Sequence, residues 1–275
     1  MNNAVAASGG GGLAGIFKSS MMSKLIWSLG GFAILAFAWW LFGNYIASNP
    51  NTASFANFGL IPTLQAFPEL LEIGKLQSAT TVSLNRLFVG LGIAIIIGIP
   101  VGILIGQFRR FNQLSNSPFQ LLRMVSPLAW SPIAVFVFST WYGAIVFLIA
   151  MASVWPIMFS TAAGLAKVDP AWFKVARNLG AGPVHMVTRI ILPAITFDIL
   201  SGLRLALGVA WIVLVPAEYL GVTSGLGYAI QDARETLSYD HLTAIVLSIG
   251  AIGYVLDTTL AMLIKKFSWH RGGVC

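Results

Sequence analysis

Long apolar stretches, separated by short polar and mostly basic loops, set the pattern of this chain. A helix that crosses about 30 Å of hydrocarbon, rising about 1.5 Å per residue, needs about 20 mostly apolar residues. Six windows meet that demand: 25–47, 81–107, 119–140, 142–166, 190–217 and 242–264. The first carries Trp27, Trp39 and Trp40 behind Lys24, and it is longer than the apolar core of a cleavable leader, so it is read as a retained span. Between the first two windows, Leu64, Phe67, Leu70, Leu71 and Leu76 recur at roughly helical spacing, with Glu69, Glu72 and Lys75 among them. That spacing predicts an amphipathic helix lying at the membrane surface. The expected fold class is all-α: a polytopic membrane protein of about six transmembrane helices.

Within the second window, Gly90, Ala94, Gly98, Gly102 and Gly106 stand four residues apart. Small residues at that spacing let another helix approach closely. The partner is either a helix of the same chain, making this a buried face, or the same helix in a second copy. Pro100 and Pro156 fall inside apolar windows and imply kinks. Residues 1–20 are rich in Ala, Gly and Ser and read as a disordered tail. Residues 21–80 hold the first span and the amphipathic segment, 81–266 the core with a loop at 167–193, and 267–275 a second short tail.

Loop charge orients the spans. An N-terminus in the cytoplasm puts Lys18, Lys24, Arg109, Arg110, Arg123, Lys167, Lys174, Arg177, Arg189, Lys265, Lys266 and Arg271 inside, 12 of the 16 basic residues. Only Lys75, Arg86 and Arg234 fall outside, and Arg204 lies within a span. This bias obeys the positive-inside rule and favours six spans with both termini cytoplasmic. Composition agrees: apolar residues make up 57% and charged residues 9%, against about 25% charged in a soluble domain. The net charge of +7 needs no nucleic acid to explain it, because basic loops already do. Cys275 stands alone, so no intrachain disulfide is available. His185, His241 and His270 lack the spacing of metal ligands. The run Gly12–Ser19 ends in Lys18-Ser19, but Phe17 sits where a phosphate-binding loop needs Gly before the Lys, and no strand precedes it.

The loop from Lys167 to Pro193 is the most informative stretch. Asp169 before Pro170 is a strong helix start, a capping oxygen followed by a residue with no N–H to leave unpaired. A short helix through Lys174, Val175, Ala176 and Asn178 should end at Gly180, where a left-handed backbone favours glycine. Gly182 and Pro183 then start a second helix that runs through Ile190 and Leu192 to Pro193. Helix, glycine turn and helix make a stiff knob suited to a socket on another protein.

This stretch resembles the coupling loop of ABC-importer permeases, whose pattern is Glu-Ala-Ala, three residues, Gly, nine residues, Ile, one residue, Leu-Pro. Ala176, Gly180, Ile190, Leu192 and Pro193 match it, whereas Lys174 and Val175 stand where the family usually has Glu and Ala. The resemblance continues in Ser126-Pro127-Leu128-Ala129-Trp130, Ser201-Gly202-Leu203-Arg204-Leu205-Ala206-Leu207-Gly208, Pro216-Ala217-Glu218 and Ser224-Gly225-Leu226-Gly227-Tyr228, so it covers roughly residues 78–265. It is greatest toward the nitrate, sulfonate, taurine and bicarbonate branch. It implies a type I importer permease in the inner membrane, paired with a second copy as a homodimer around a central pathway. It also implies two cytoplasmic ATPase subunits that bind the ATP and Mg, and a periplasmic or lipid-anchored binding protein that delivers substrate. This chain would carry no cofactor and no catalytic residue of its own.

Four acidic residues, Glu218, Asp232, Glu235 and Asp240, read as an outer acidic loop that either docks the binding protein or is merely solvated. Arg204 lies halfway along the fifth window, where an unpaired charge is costly. It lines a pathway for an anion, with Glu218 as a further pathway candidate, or it is bonded to backbone carbonyls or to Asp257 or Asp198. The rival class is a self-sufficient secondary transporter or channel that uses Asp198 and Asp257 as proton relays. Such transporters usually carry two similar halves, and no internal repeat is present here. An intramembrane serine protease built on Ser224 and His241 is disfavoured, because Ser224 belongs to a Gly-rich turn and not to a buried helix.

Overall fold

A computed structural model of the chain describes residues 12–269, and every regular element among them is helical. In chain order these are α1 (Gly12–Ser48), α2 (Leu60–Glu72), α3 (Lys75–Gln107), α4 (Arg109–Met124), α5 (Ser131–Val137), α6 (Trp141–Ala166), α7 (Pro170–Asn178), α8 (Pro183–His185), α9 (Leu192–Tyr219), α10 (Leu226–Glu235) and α11 (Tyr239–Trp269). A π turn over Met186–Ile191 joins α8 to α9, so the chain runs helically from Pro183 to Tyr219. Among the described residues, five helices are long and apolar enough to cross a membrane: Ile26–Ser48 within α1, α3, α6, Pro183–Tyr219 and Tyr239–Lys266 within α11.

The third expected span differs from the sequence reading. Residues 119–140 do not form one helix, because α4 and Pro127–Val137 meet at 90° across a break. Pro127 has no N–H to continue the ladder, and its ring forces Ser126 out of helical geometry, to φ −57 and ψ 129. A 3-10 turn over Pro127–Trp130 follows, and Pro132 opens α5. The bent pair is the sixth span only if both halves are counted together.

The N-terminal tail also differs. Residues 1–11 lie outside the described residues, but 12–20 are helical and continue α1. Adding a residue to an existing helix costs far less than starting one, and Gly12–Ser19 contains no proline to stop it. At the other end α11 extends to Trp269, so only 270–275 of the expected tail lie outside the described residues.

Three helices form the centre: α3 and α9 pack on either side of α6, around Leu87, Ile145, Ile149, Ala206 and Leu214. The small-residue stripe of α3 settles against α6 of the same chain. A Cβ on Gly90 would lie 2.5 Å from Ile149, on Gly102 2.6 Å from the Met158 carbonyl oxygen, and on Gly106 2.9 Å from Leu165. The stripe is therefore an intramolecular seam. Dispersion drives such packing where lipid offers no hydrophobic gain.

Docking of α2 is closer than a surface-lying helix requires. Leu70 and Ala66 are buried against Leu226, Ala229, Ala244 and Ile245 of α10 and α11, while Leu64 and Leu71 stay exposed. Small side chains allow that approach: Thr63 is buried and its hydroxyl lies 2.6 Å from that of Thr243. By contrast α1 touches the rest mainly at its end, where Gly43 sits against Gly59 and Trp39 Nε1 donates to the Phe58 carbonyl at 2.9 Å. The spans alternate in direction. Arg86, Glu218 and Leu226 gather at one end of the bundle, and Ile103, Leu165 and Ile195 gather toward the other.

Candidate functional site

Beyond the Ile103–Leu165–Ile195 end, the chain between α6 and α9 folds into the knob read from the sequence. Asp169 caps α7, its side chain accepting from the Ala171 N–H at 2.8 Å. Helix α7 then ends at Asn178, and Gly180 takes φ +79, the left-handed backbone that a Cβ resists. The turn closes when Gly180 N–H donates to the Arg177 carbonyl and Ala181 N–H to that of Ala176, both at 3.0 Å. Ala176 is buried beneath the knob with Met186, Ile191 and Ile195, and Ile190 and Leu192 pack at its edge. Asp169, Lys174 and Gly180 face outward, with open space where a Gly180 Cβ would sit.

The tip carries more apolar surface than a solvated loop would. Trp172, Val175, Leu179 and Val184 are all more than half exposed, Leu179 at 82%. Trp172, Val175 and Leu179 lie on the stretch between α6 and Pro183, and Val184 lies in the first turn of the apolar run Pro183–Tyr219. Exposed apolar groups clustered in this way mark a protein or membrane contact. The second helix of the knob has no break of its own: it passes through the π turn directly into α9. The knob is therefore joined to a core span through an irregular turn, a feature common at functional positions.

At the opposite end lies a group of polar side chains whose partnership sequence reasoning missed. Arg86, expected outside the membrane, is 4% exposed within α3, and Glu218, expected in an acidic outer loop, is fully buried at the end of α9. They form an ion pair, Arg86 Nη1 to Glu218 Oε1 at 2.6 Å. Ser83 Oγ donates to Glu218 Oε2 at 2.7 Å and accepts the Leu226 N–H at 2.8 Å. Gly227 N–H donates to Glu218 Oε2 at 3.1 Å, and Arg86 also reaches the Ser224 carbonyl and hydroxyl, each at 2.8 Å. The pair thus pins the 224–227 turn onto α3 and α9. Gly225 is needed there because its φ is +107 and a Cβ would fall 2.4 Å from the Glu218 carboxyl. Glu218 is accordingly a buried clamp residue, and the reading of it as an exposed docking or pathway carboxylate is corrected. Its signal in the sequence was faint: Glu218 follows the fifth apolar window by one residue and Arg86 opens the most apolar part of the second.

Arg204 has a carboxylate partner. Its Nε and Nη2 donate to the two oxygens of Asp257 on α11, both at 2.7 Å, a bidentate pair. Yet the side chains remain 47% and 48% exposed, on faces of α9 and α11 near the middle of their spans. Asp198 is held separately by Lys167 at 2.7 Å. Both aspartates of the rival transporter reading are therefore engaged by basic residues. Among the described residues no cluster of His, Cys, Asp and Glu could hold a metal ion.

The chain has relatives among known transport proteins. The model of the family described as "Binding-protein-dependent transport system inner membrane component" matches residues 98–269. The bicarbonate transport system permease protein CmpB of Synechococcus elongatus is 39% identical over 186 residues, which are 67% of this chain and 66% of that protein. The taurine transport system permease protein TauC of Escherichia coli is 32% identical over 252 residues, 88% of this chain and 89% of that one. Among solved structures, a chain of an amino acid ABC transporter crystallised with histidines superposes with a TM-score of 0.58 at 18% identity, covering 74% of this chain and 97% of that one.

Proposed function

The chain belongs to the family of inner-membrane components of binding-protein-dependent transport systems, and from that premise we propose that it is half of an anion-import pathway driven through its Lys167–Pro193 knob by separate ATPase subunits. The observation that carries this reading is the knob. It is a capped helix and a glycine turn with an exposed apolar tip, continuous through a π turn with a core span. Such a tip fits a complementary groove on a cytoplasmic ATPase that binds the ATP and Mg. Closure of two ATPases would draw two knobs together and tilt the α9 spans, a rigid element biasing a two-state bundle. The positive-inside bias supports a cytoplasmic knob and cytoplasmic termini.

Arg204 and Asp257 support the second half of the proposal. A half-exposed ion pair at mid-span costs several kcal/mol if its outer side meets lipid. Water or a second permease copy must cover that face, which is where a pathway shared by two copies would run. Such relatives as the bicarbonate and taurine permeases point to a small anion as cargo, delivered by a periplasmic or lipid-anchored binding protein. The test is to co-express the chain with its cognate ATPase and binding protein and to follow uptake of nitrate, bicarbonate, taurine and alkanesulfonates into proteoliposomes. ATP-dependent uptake that requires all three components is the expected result. Uptake by this chain alone, driven by a proton gradient, would overturn the reading in favour of a secondary transporter.

A further inference from the structure

The break in the third span opens a cavity of about 360 Å³, lined by Arg123, Trp130, Met151, Trp155, Leu205 and Val209 among others. Its depth follows from α6: Met151 lies ten residues from one end of Trp141–Ala166 and Trp155 eleven from the other, so each is about 15 Å from an end at 1.5 Å per residue. Non-helical backbone at that depth is tolerated only inside protein or along a water-filled cavity, and the extended Val125, with Pro127 after the break, lines this one. In secondary transporters, binding sites near the bilayer midplane commonly form at interrupted helices. Arg123, counted from the sequence among the loop cations, instead points its guanidinium over the Phe159 ring at 5.4 Å. Among the described residues its side chain has no ion pair and no hydrogen bond. Among the described residues no carboxylate lines the cavity.

We propose that this cavity is an anion subsite of the pathway, with Arg123 holding the head group, and that its cargo is a sulfonate on a short hydrocarbon chain. The inference rests on the import reading above and narrows its substrate class. One guanidinium supplies strong paired donors to an oxyanion. The remaining lining is indole, thioether and aliphatic carbon, with far more room than the ~30 Å³ of a single water. A bare inorganic anion would surrender hydration on every side and regain it on one. An alkanesulfonate places its charge at Arg123 and its chain against Trp130, Met151 and Leu205. Taurine fits less well, because its ammonium group would find no acceptor carboxylate.

Calorimetry on the full-length chain in lipid nanodiscs decides the matter, with 1-butanesulfonate, taurine, bicarbonate and nitrate as titrants. Wild-type protein should bind butanesulfonate at least about tenfold more tightly than the other three, and Arg123→Gln should weaken it by about tenfold or more, the scale of one charged hydrogen bond. Leu205→Trp, at a position 62% exposed and so free of a folding role, should also weaken butanesulfonate by filling the cavity. Nitrate binding as tight as butanesulfonate, equal butanesulfonate affinity in all three proteins, or no binding of butanesulfonate by wild-type protein would each overturn the proposal. Uptake assays separate its failure from that of the import reading. ATP-driven uptake whose anion preference is unchanged by Arg123→Gln sinks the subsite alone, whereas absence of ATP-driven uptake of any anion sinks the import reading.

Discussion

Removing one partner of the Arg86–Glu218 pair strands a charge in a site that water does not reach, since Glu218 is fully buried and Arg86 nearly so. Breaking a buried pair on one side costs about 3–5 kcal/mol, whereas replacing both partners by apolar residues is often close to neutral. Glu218→Gln and Arg86→Met should each lower the apparent melting temperature of the detergent-solubilised protein strongly. The double variant Arg86→Met with Glu218→Leu should recover much of that loss, although Ser83 and the Gly227 N–H would lose their acceptor. A double variant as unstable as the sum of the singles would show that the pair contributes no coupled term. At this scale the sequence was only partly legible. Asp169, Gly180 and the Arg204–Asp257 alternative were readable because caps, left-handed turns and mid-span charges are local or obligatory. Arg86 and Glu218 are 132 positions apart, and nothing short-range in either neighbourhood reports that a tertiary contact buries them together.

Helical elements were read with the same mixture. Apolar windows found five spans, because the length needed to cross hydrocarbon is a hard requirement. The sixth is bent by 90° at Ser126-Pro127 and is not one continuous helix, because hydropathy stays high there while proline breaks the ladder. The knob was legible in nearly every feature, since its cap, turn and second start each rest on a residue type with a local reason. Its role is testable at Gly180, where φ +79 disfavours any side chain by about 1 kcal/mol or more. The chain's own fold leaves space for a Cβ there, so Gly180→Val should still insert and fold. Its damage should fall on the partner: loss of ATPase co-purification, or hydrolysis uncoupled from uptake in proteoliposomes. Lys174→Glu restores the usual family residue on an exposed position and should be tolerated. Normal uptake by Gly180→Val would reduce the knob to a connector.

At the scale of the whole molecule two questions remain physical rather than sequential: which side faces the cytoplasm, and what covers α9. Single cysteines in a Cys275→Ser background address both. With the knob inside, Asn51→Cys and Thr236→Cys should label from outside intact cells with an impermeant thiol reagent, and Asn112→Cys and Asn178→Cys should not. Outside labelling at 178 would invert the topology and remove the knob from the ATPases. For the second question, Gly208 lies one helical turn beyond Arg204, so the two share a face. It is exposed, and nothing lies within 4 Å of where its Cβ would be. If that face lines a water-filled path between two copies, Gly208→Cys should react with a small charged thiol reagent that does not enter lipid. Ile34→Cys on α1, at 70% exposure, should not react. Charge in the reagent is what makes the comparison decisive, because thiolate forms only where water can solvate it. Equal silence at both positions would mean that the Arg204–Asp257 face is packed dry against protein or lipid. The pathway would then have to run elsewhere than along α9.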